Sequence, residues 1–263
     1  MKIGLVLGSG SARGIASVGV IKHLEQIGIK PDIICGSSMG ALIGGAYASG
    51  MDINEMEKIA TRMKNYKDVI KLIDINNPFN SLIKGEKIKQ FLKTIIKKDK
   101  IENFYKKFSC NATDIMHGKE VIFKKGNAIN AIRASISIPG IFRPVKYKKT
   151  FLVDGGLLNP VPIDIAKQMG ADVIIAVDVN SKMKLNNKKN LNLFSTIENA
   201  IEIMEIQLSK KYEINYKNTI VLKPNISSIG RYDFFKAKKI ITLGYKESKR
   251  NEKKIKKLIF QSN

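Results

Sequence analysis

The chain has 263 residues, 44% of them hydrophobic, and is long enough to bury the core of one large α/β domain, which we expect to span residues 1–263. A formal net charge of +23 suggests a polyanionic partner, but only six of the 46 basic residues are arginine and the lysines are scattered through every segment. Because base readout and bidentate recognition of phosphates rely mainly on the guanidinium group, nucleic acid is disfavoured as a partner, and the lysines are interpreted as solvated surface.

The first predicted strand, Lys2 to Leu7, runs directly into a glycine-rich turn, GSGSARG at residues 8–14, and a helix follows. Such a turn can bind a dinucleotide, bind a nucleotide phosphate or form an oxyanion hole. A phosphate-binding loop would end in Gly-Lys-Ser/Thr, and a dinucleotide site would need a third glycine where Arg13 stands. The oxyanion hole is favoured, because it needs only small residues whose backbone N–H groups point to one spot beside a nucleophile.

The second predicted strand, Ile33 to Cys35, leads into GSSMG at residues 36–40, with Ser38 at its centre. In a G-x-S-x-G elbow the serine occupies a sharp turn between a strand and a helix, and here Gly36 and Gly40 would let the two approach without side-chain clash. The free N–H groups of the following helix would favour developing negative charge. For this pentapeptide alone, a glycine-rich loop that merely contains serines is the alternative.

The middle of the chain is predicted to form helices and short strands that lead to an aspartate. Helical spacing predicts helices over 52–71 and 85–98, and the connection between them contains a segment, 76–81, that is either a lid or an ordinary loop. Strands are predicted over 108–115, 120–123 and 151–153 and a helix over 128–137. The last of these strands leads to Asp154, which two glycines follow.

Three motifs resemble those of the bacterial patatin-like phospholipases. GSGSARG looks like the glycine-rich oxyanion loop of that family, GSSMG like its nucleophile elbow, and DGG at 154–156 like the motif of its catalytic aspartate. The resemblance covers nearly the whole chain and implies Ser38 as nucleophile and Asp154 as its base. It also implies an oxyanion hole built on the loop amides, with one basic residue in the loop: Gly8, Ser9, Gly10, Ser11 and Arg13.

The two histidines decide between a triad and a dyad. Both His23 and His117 precede Asp154, so a triad in the chain order of α/β-hydrolases is excluded. We interpret both histidines as packing or surface residues. Asp154 must then take the serine proton directly, and we expect burial to raise its pKa and make it a better proton acceptor.

The last third of the chain completes the predicted fold. Residues 171–179 are nearly all apolar, as in a strand buried on both faces, and a helix over 197–208 and a strand over 219–222 follow. Strands that alternate with helices predict a three-layer α/β/α sandwich around a mostly parallel sheet. The final helical segment, 249–260, places basic residues beside apolar ones, and this apolar face either contacts an anionic membrane surface or packs on the core.

These features predict a serine acyl hydrolase that cleaves carboxyl esters of lipids through a Ser38–Asp154 dyad and an acyl-enzyme, with no metal and no cofactor. A thioesterase or a general carboxylesterase is the alternative within enzymes, and a non-catalytic lipid-binding module is the alternative outside them. Too few apolar residues follow Lys2 for a signal peptide, and no segment has the length and hydrophobicity of a membrane span. We therefore expect a cytoplasmic protein, with peripheral contact to membranes as the open alternative.

Overall fold

The structure is a computed structural model that describes residues 1–65, 68, 83–180, 192–212 and 216–260. Within these residues eight strands form one sheet: β1 (Ile3–Leu7), β2 (Ile33–Gly36), β3 (Lys107–Asp114), β4 (Lys119–Phe123), β5 (Val145–Tyr147), β6 (Thr150–Asp154), β7 (Val173–Val177) and β8 (Thr219–Leu222). The same described part contains the helices α1 (Ala16–Gln26), α2 (Met39–Ala48), α3 (Ile53–Thr61), α4 (Glu86–Ile95), α5 (Ala128–Ser135), α6 (Ile163–Gln168), α7 (Leu193–Tyr212), α8 (Ala237–Arg250) and α9 (Glu252–Phe260).

The described elements match the predicted ones except in a few places. The helix predicted over 52–71 is helical over Ile53–Thr61, and most of its remainder lies outside the described residues, as does the candidate lid at 76–81. Strand β5 and the helices α6 and α8 were not predicted. β5 and α6 are short, three and six residues, so neither displays enough of a repeating pattern to be recognised. α8 has 14 residues and buries Ala237, Ile240, Ile241 and Gly244 at helical spacing, so the sequence could have indicated it.

The sheet is mostly parallel. Strands β3, β2, β1, β7 and β8 lie side by side in this order and pair in parallel. At the β3 side, β4 and β6 both pair antiparallel with β3, and β5 pairs antiparallel with β6. This arrangement agrees with the predicted sheet and adds an antiparallel edge to it.

Helices cover both faces of the sheet, because the buried strands direct alternate side chains to opposite sides. In β1, Leu5 and Leu7 belong to a large core formed with α1, α2 and α8, whereas Val6 belongs to a smaller core formed with α6. The same alternation divides β7 between the two cores, which is why its sequence is apolar throughout. The predicted three-layer α/β/α sandwich is therefore confirmed.

The register of β3 brings two distant parts of the chain together. β3 pairs with β2 as far as Cys110, opposite Gly36, and with β6 from Ala112, opposite Asp154. The carboxyl ends of β2 and β6 therefore meet beside one short stretch of β3. Ser38 follows the end of β2 by two residues, and Asp154 is the last residue of β6.

The final helix places its apolar side chains on the core. Ile255 and Ile259 of α9 are 0% and 4% exposed, whereas Phe260 is 66% exposed. The described lysines of α9 are exposed: Lys253, Lys254, Lys256 and Lys257. The apolar face of this segment is thus mostly turned inward, as in the second of the two alternatives. Among the described helices, none has the length and hydrophobicity needed to cross a membrane.

Candidate active site

Ser38 sits in a strained turn between β2 and α2. Its φ and ψ are 52° and −120°. A positive φ of this kind is normally adopted by glycine and is strained for a residue with a side chain. The two glycines of the turn are required by close backbone contacts. A Cβ on Gly40 would lie 1.9 Å from the carbonyl oxygen of Leu7, and one on Gly36 would lie 2.3 Å from the carbonyl oxygen of Gly40. This is the geometry of a nucleophile elbow.

The side chains of Ser38 and Asp154 are in direct contact. Ser38 Oγ donates a hydrogen bond of 2.5 Å to Asp154 Oδ2, and both residues are only 4% exposed. Each is also held by its backbone, since the Ser38 N–H donates to Ser135 Oγ (2.9 Å) and the Asp154 N–H to the Ser137 carbonyl (2.9 Å). The other carboxylate oxygen of Asp154 accepts the N–H of Gly156 at 2.8 Å. The hydroxyl and the carboxylate are therefore held in a geometry that suits proton transfer.

The surroundings of Asp154 favour its protonated form. Burial is the main cause, and the negative charge of Glu205 adds to it, so that the pKa of Asp154 is raised to about 7 although the hydrogen bond from Ser38 opposes the shift. Glu205 is itself almost fully buried and accepts a hydrogen bond from Arg231 at 2.9 Å. Sequence reasoning missed Glu205 and Arg231, because no spacing or motif in the sequence connects either of them with Asp154.

The glycine-rich loop offers fewer free amides than predicted. The N–H of Gly8 donates to the last carbonyl of β7 at 3.0 Å, and that of Ser9 donates to the carbonyl of Pro160 at 2.8 Å. Gly10 and Ser11 have φ angles of 150° and 51°, and within the described residues no acceptor takes the N–H of either. The predicted set of loop donors is therefore narrowed to Gly10 and Ser11.

Arg13 lies in the loop but binds elsewhere. Its guanidinium donates to the carbonyl of Ile229 (2.8 Å) and to Glu202 on α7 (2.6 Å), and the residue is 4% exposed. The structure therefore gives Arg13 an anchoring contact between the loop and α7, in place of the predicted part in the oxyanion hole.

Met39 carries one of the free N–H groups that the sequence predicted at the start of α2, although the residue itself was not named. It is the first residue of α2, and the first N–H groups of a helix have no intrahelical acceptor. The G-x-S-x-G pattern could have indicated it, because the residue after the nucleophile commonly donates to the oxyanion. Met39, Ser38 and Ser11 line the same cavity, which places the elbow and the loop at one site.

The cavity beside Ser38 is apolar. It is lined by side chains from α1 to α4, by Phe234 and by four residues that follow α5: Ile136, Ile138, Ile141 and Phe142. Among its described lining residues the only polar ones are Ser11, Ser38 and Tyr232. A cavity of this composition suits a hydrocarbon chain.

The histidines contact neither Ser38 nor Asp154. His23 is 2% exposed, and its ring nitrogens lie 2.9 Å from Ser248 Oγ and 3.4 Å from a carboxylate oxygen of Glu252. The side chain of His117 is 61% exposed, and its Nδ1 lies 2.9 Å from Asp114. One histidine packs between helices and the other lies on the surface, as the sequence predicted.

Comparisons with known proteins place the chain in a family. The family model described as patatin-like phospholipase matches residues 5–167. Among similar proteins, the lysophospholipase NTE1 of Meyerozyma guilliermondii is 34% identical over 271 residues, which cover 92% of this chain and 19% of that protein. The lysophospholipase nte1 of Aspergillus niger is 33% identical over 282 residues, which cover 97% of this chain and 18% of that protein.

The chain thus spans about a fifth of the length of these curated relatives, which are fungal although the motifs were compared with bacterial proteins. Among solved structures, VipD from Legionella pneumophila matches with a TM-score of 0.49 and 15% identity, over 95% of this chain and 66% of that one. The family model covers well over half of the 263 residues and contains both the elbow and the DGG motif. The chain therefore belongs to the patatin-like phospholipase family.

Proposed function

We propose that this chain is a serine acyl hydrolase that cleaves carboxyl esters of lipids, of the phospholipase or lysophospholipase type, and that residues 1–263 act as one catalytic domain. The observation that carries the proposal is the 2.5 Å hydrogen bond from Ser38 Oγ to Asp154 Oδ2 beside an apolar cavity. Family membership and the names of the relatives support the same chemistry.

In the first half of the proposed reaction, Ser38 becomes acylated. Its Oγ attacks the carbonyl carbon of the ester while its proton passes to Asp154 Oδ2. The negative charge that forms on the carbonyl oxygen is stabilised by the N–H groups of Gly10, Ser11 and Met39, assisted by the N-terminus of α2. When the tetrahedral intermediate collapses, the carbon–oxygen bond of the ester breaks, and Asp154 returns the proton to the departing alcohol.

In the second half, water releases the fatty acid. Asp154 accepts a proton from the water as its oxygen attacks the acyl carbon, and the same amides stabilise the second oxyanion. The bond to Ser38 Oγ then breaks, and the proton returns from Asp154 to the serine. A pKa of Asp154 of about 7 suits this exchange, because the group must both take and give a proton near neutral pH.

The substrate class follows from the cavity and from the surface. The apolar lining favours a hydrocarbon chain attached to the ester carbonyl, with the polar part of the lipid outside. We propose that the protein works in the cytoplasm and reaches its substrate by transient contact with an anionic membrane surface. The exposed lysines of α9 and the exposed Phe260 support this contact. Nucleic acid has no part in the proposal.

A fluorophosphonate probe tests the assignment, because it labels an activated serine covalently. We expect the wild type to be labelled at Ser38, and Ser38→Ala to lose both the label and lipid hydrolysis by several orders of magnitude. Ser37→Ala is the matched control, since Ser37 is fully buried and its hydroxyl has no hydrogen-bond partner among the described residues. Labelling of folded protein at Ser37, or full hydrolysis by Ser38→Ala, would show that the nucleophile is misassigned.

A further inference from the structure

A second cavity lies away from the dyad, between the start of α4, the helix α5 and the strand β5. Its volume is about 680 Å³, within the range of small-molecule sites, and it shares no described lining residue with the apolar cavity. We call it the basic cavity, because its lining includes six cationic residues: Lys84, Lys89, Lys125, Arg133, Arg143 and Lys146.

The positive charge of this cavity exceeds what the composition of the chain explains. The whole chain has 46 basic and 23 acidic residues, a ratio of two to one, whereas Glu86 is the one acidic residue among those that line the cavity. Glu86 is moreover paired with Lys89 at 3.0 Å. Two of the six arginines of the chain, Arg133 and Arg143, line the cavity, and arginine is the side chain best suited to grip an oxyanion. The wall therefore attracts anions.

Arg133 is a buried cation whose described hydrogen bonds all go to neutral groups. It is 1% exposed, and its guanidinium donates to Ser137 Oγ at 2.5 Å and to the carbonyls of Lys84 (3.2 Å) and Arg143 (3.4 Å). Its Nε has no hydrogen-bond partner within the described residues. Burial lowers the pKa of Arg133 to about 10, although the charge of Glu86 opposes the shift. A buried charge without a hydrogen-bonded counterion is unfavourable, and an anion in the cavity would relieve this.

We propose that the basic cavity binds a phosphate group, carried by a ligand whose remaining part is apolar or planar. The rim supplies exposed cations from three segments of the chain, namely Lys84, Lys125 and the pair Arg143 and Lys146. The lining also includes the apolar side chains Phe123, Tyr147 and Leu152, with the two aromatic rings edge to face at 5.4 Å between centroids. This proposal does not rest on the hydrolase activity.

Isothermal titration calorimetry with sodium pyrophosphate at constant ionic strength tests the proposal. We expect one site per chain, and a loss of affinity of about tenfold or more in the double variant Arg143→Gln/Lys146→Gln, whose side chains are exposed and do not support the fold. The control is Lys253→Gln/Lys257→Gln, which removes the same charge from the exposed surface of α9 and should change affinity less than about twofold. Equal weakening by both double variants, or no binding by the wild type, would overturn the proposal.

Removal of the acidic residue gives a test in the opposite direction. Glu86→Gln should tighten pyrophosphate binding by about threefold or more, because it removes a repulsive charge and frees Lys89. Glu55→Gln is the matched control, since Glu55 is also exposed in the first turn of a helix and also faces a lysine, Lys97, at 3.7 Å. If both variants tighten binding equally, the anion is held by the overall charge of the protein and the proposed site is wrong.

A second arm distinguishes a lipid head group from a soluble phosphate ester. Wild type and Arg143→Gln/Lys146→Gln are compared on phosphatidylcholine vesicles with about one part in five of phosphatidic acid, with and without pyrophosphate. If pyrophosphate and the double substitution both weaken vesicle binding to the level that α9 alone supports, the phosphate belongs to a lipid. If both leave vesicle binding intact while the variant loses pyrophosphate, the phosphate belongs to a soluble ester.

Discussion

Asp154→Asn should change how the stability of the protein depends on pH. The carboxyl group has an ordinary pKa of 3.8 and a pKa of about 7 in the folded protein, chiefly because it is buried. Its proton is therefore held more tightly in the folded state than in the unfolded state. Between these two pKa values the folded state binds more protons, so the stability of the wild type decreases as the pH rises. Asparagine does not titrate, and the variant lacks this contribution.

The contribution of Asp154 to the free energy of unfolding follows from the difference between its two pKa values. A difference of about three pKa units corresponds to about 4 kcal/mol at 1.36 kcal/mol per unit, as an upper value for a fully buried group. This contribution is fully present below the unfolded pKa and is lost as the pH rises through about 7. The hydrogen bonds from Ser38 and Gly156, which an amide accepts differently, change the stability of the variant by an amount that does not depend on pH.

Urea unfolding of both proteins at several values between about pH 4 and pH 9 measures the difference in their free energies of unfolding. We expect Asp154→Asn to gain about 2 to 4 kcal/mol relative to the wild type over this range, with the change complete above about pH 8. Other titrating groups occur in both proteins and cancel in the difference. A difference that stays constant with pH would show that Asp154 titrates near its ordinary value, and the assignment of this group as a proton acceptor near neutral pH would lose its basis.

Four further substitutions test the dyad and the elbow. Glu205→Gln should lower the pH midpoint of kcat/KM by about one unit, because it removes a negative charge near Asp154, and an unchanged midpoint in the pH–rate profile would exclude that influence. His23→Ala and His117→Ala, measured as folded proteins in an ester hydrolysis assay, should keep activity within about twofold, and a loss as complete as that of Asp154→Asn would disprove the dyad. Gly40→Ala should lower the free energy of unfolding by about 3 kcal/mol and abolish hydrolysis, because its Cβ would collide with a carbonyl of β1, so near-normal urea unfolding would refute the tight elbow.

Local patterns in the sequence were sufficient to predict that Ser38 and Asp154 lie together. Both residues lie in short motifs whose glycines are required, because a Cβ at those positions would collide with neighbouring atoms. The strands that lead to them are apolar runs of strand length. The order of strands and helices likewise predicts layers, because a parallel sheet must be covered on both faces.

Contacts between residues far apart in the chain could not be predicted from one sequence. The charges of Glu205 and Arg231 affect the pKa of Asp154, because all three side chains are buried close together. In the sequence, nothing near Glu205 or Arg231 distinguishes them from charged residues on the surface. The family resemblance implied a place for Arg13 with the oxyanion loop, whereas its guanidinium binds Glu202, 189 residues away. The loop amides were overcounted for a similar reason, since the acceptor that uses the N–H of Ser9 belongs to Pro160.

The meeting of β2 and β6 beside β3 also has a consequence for how the protein loses activity. Ser38 and Asp154 are 116 residues apart, and β6 is joined to β3 through a register of only three residue pairs. The hairpin of β5 and β6 lies at the edge of the sheet, so it can open locally while the five parallel strands remain paired. Such an opening would expose Leu152 and Val153 and carry the aspartate away from the serine while the large core around β1 and β7 stays covered. We therefore expect amide hydrogens of β5 and β6 to exchange with solvent faster than those of β1 and β7. We also expect hydrolysis to be lost at urea concentrations lower than those that unfold the parallel sheet.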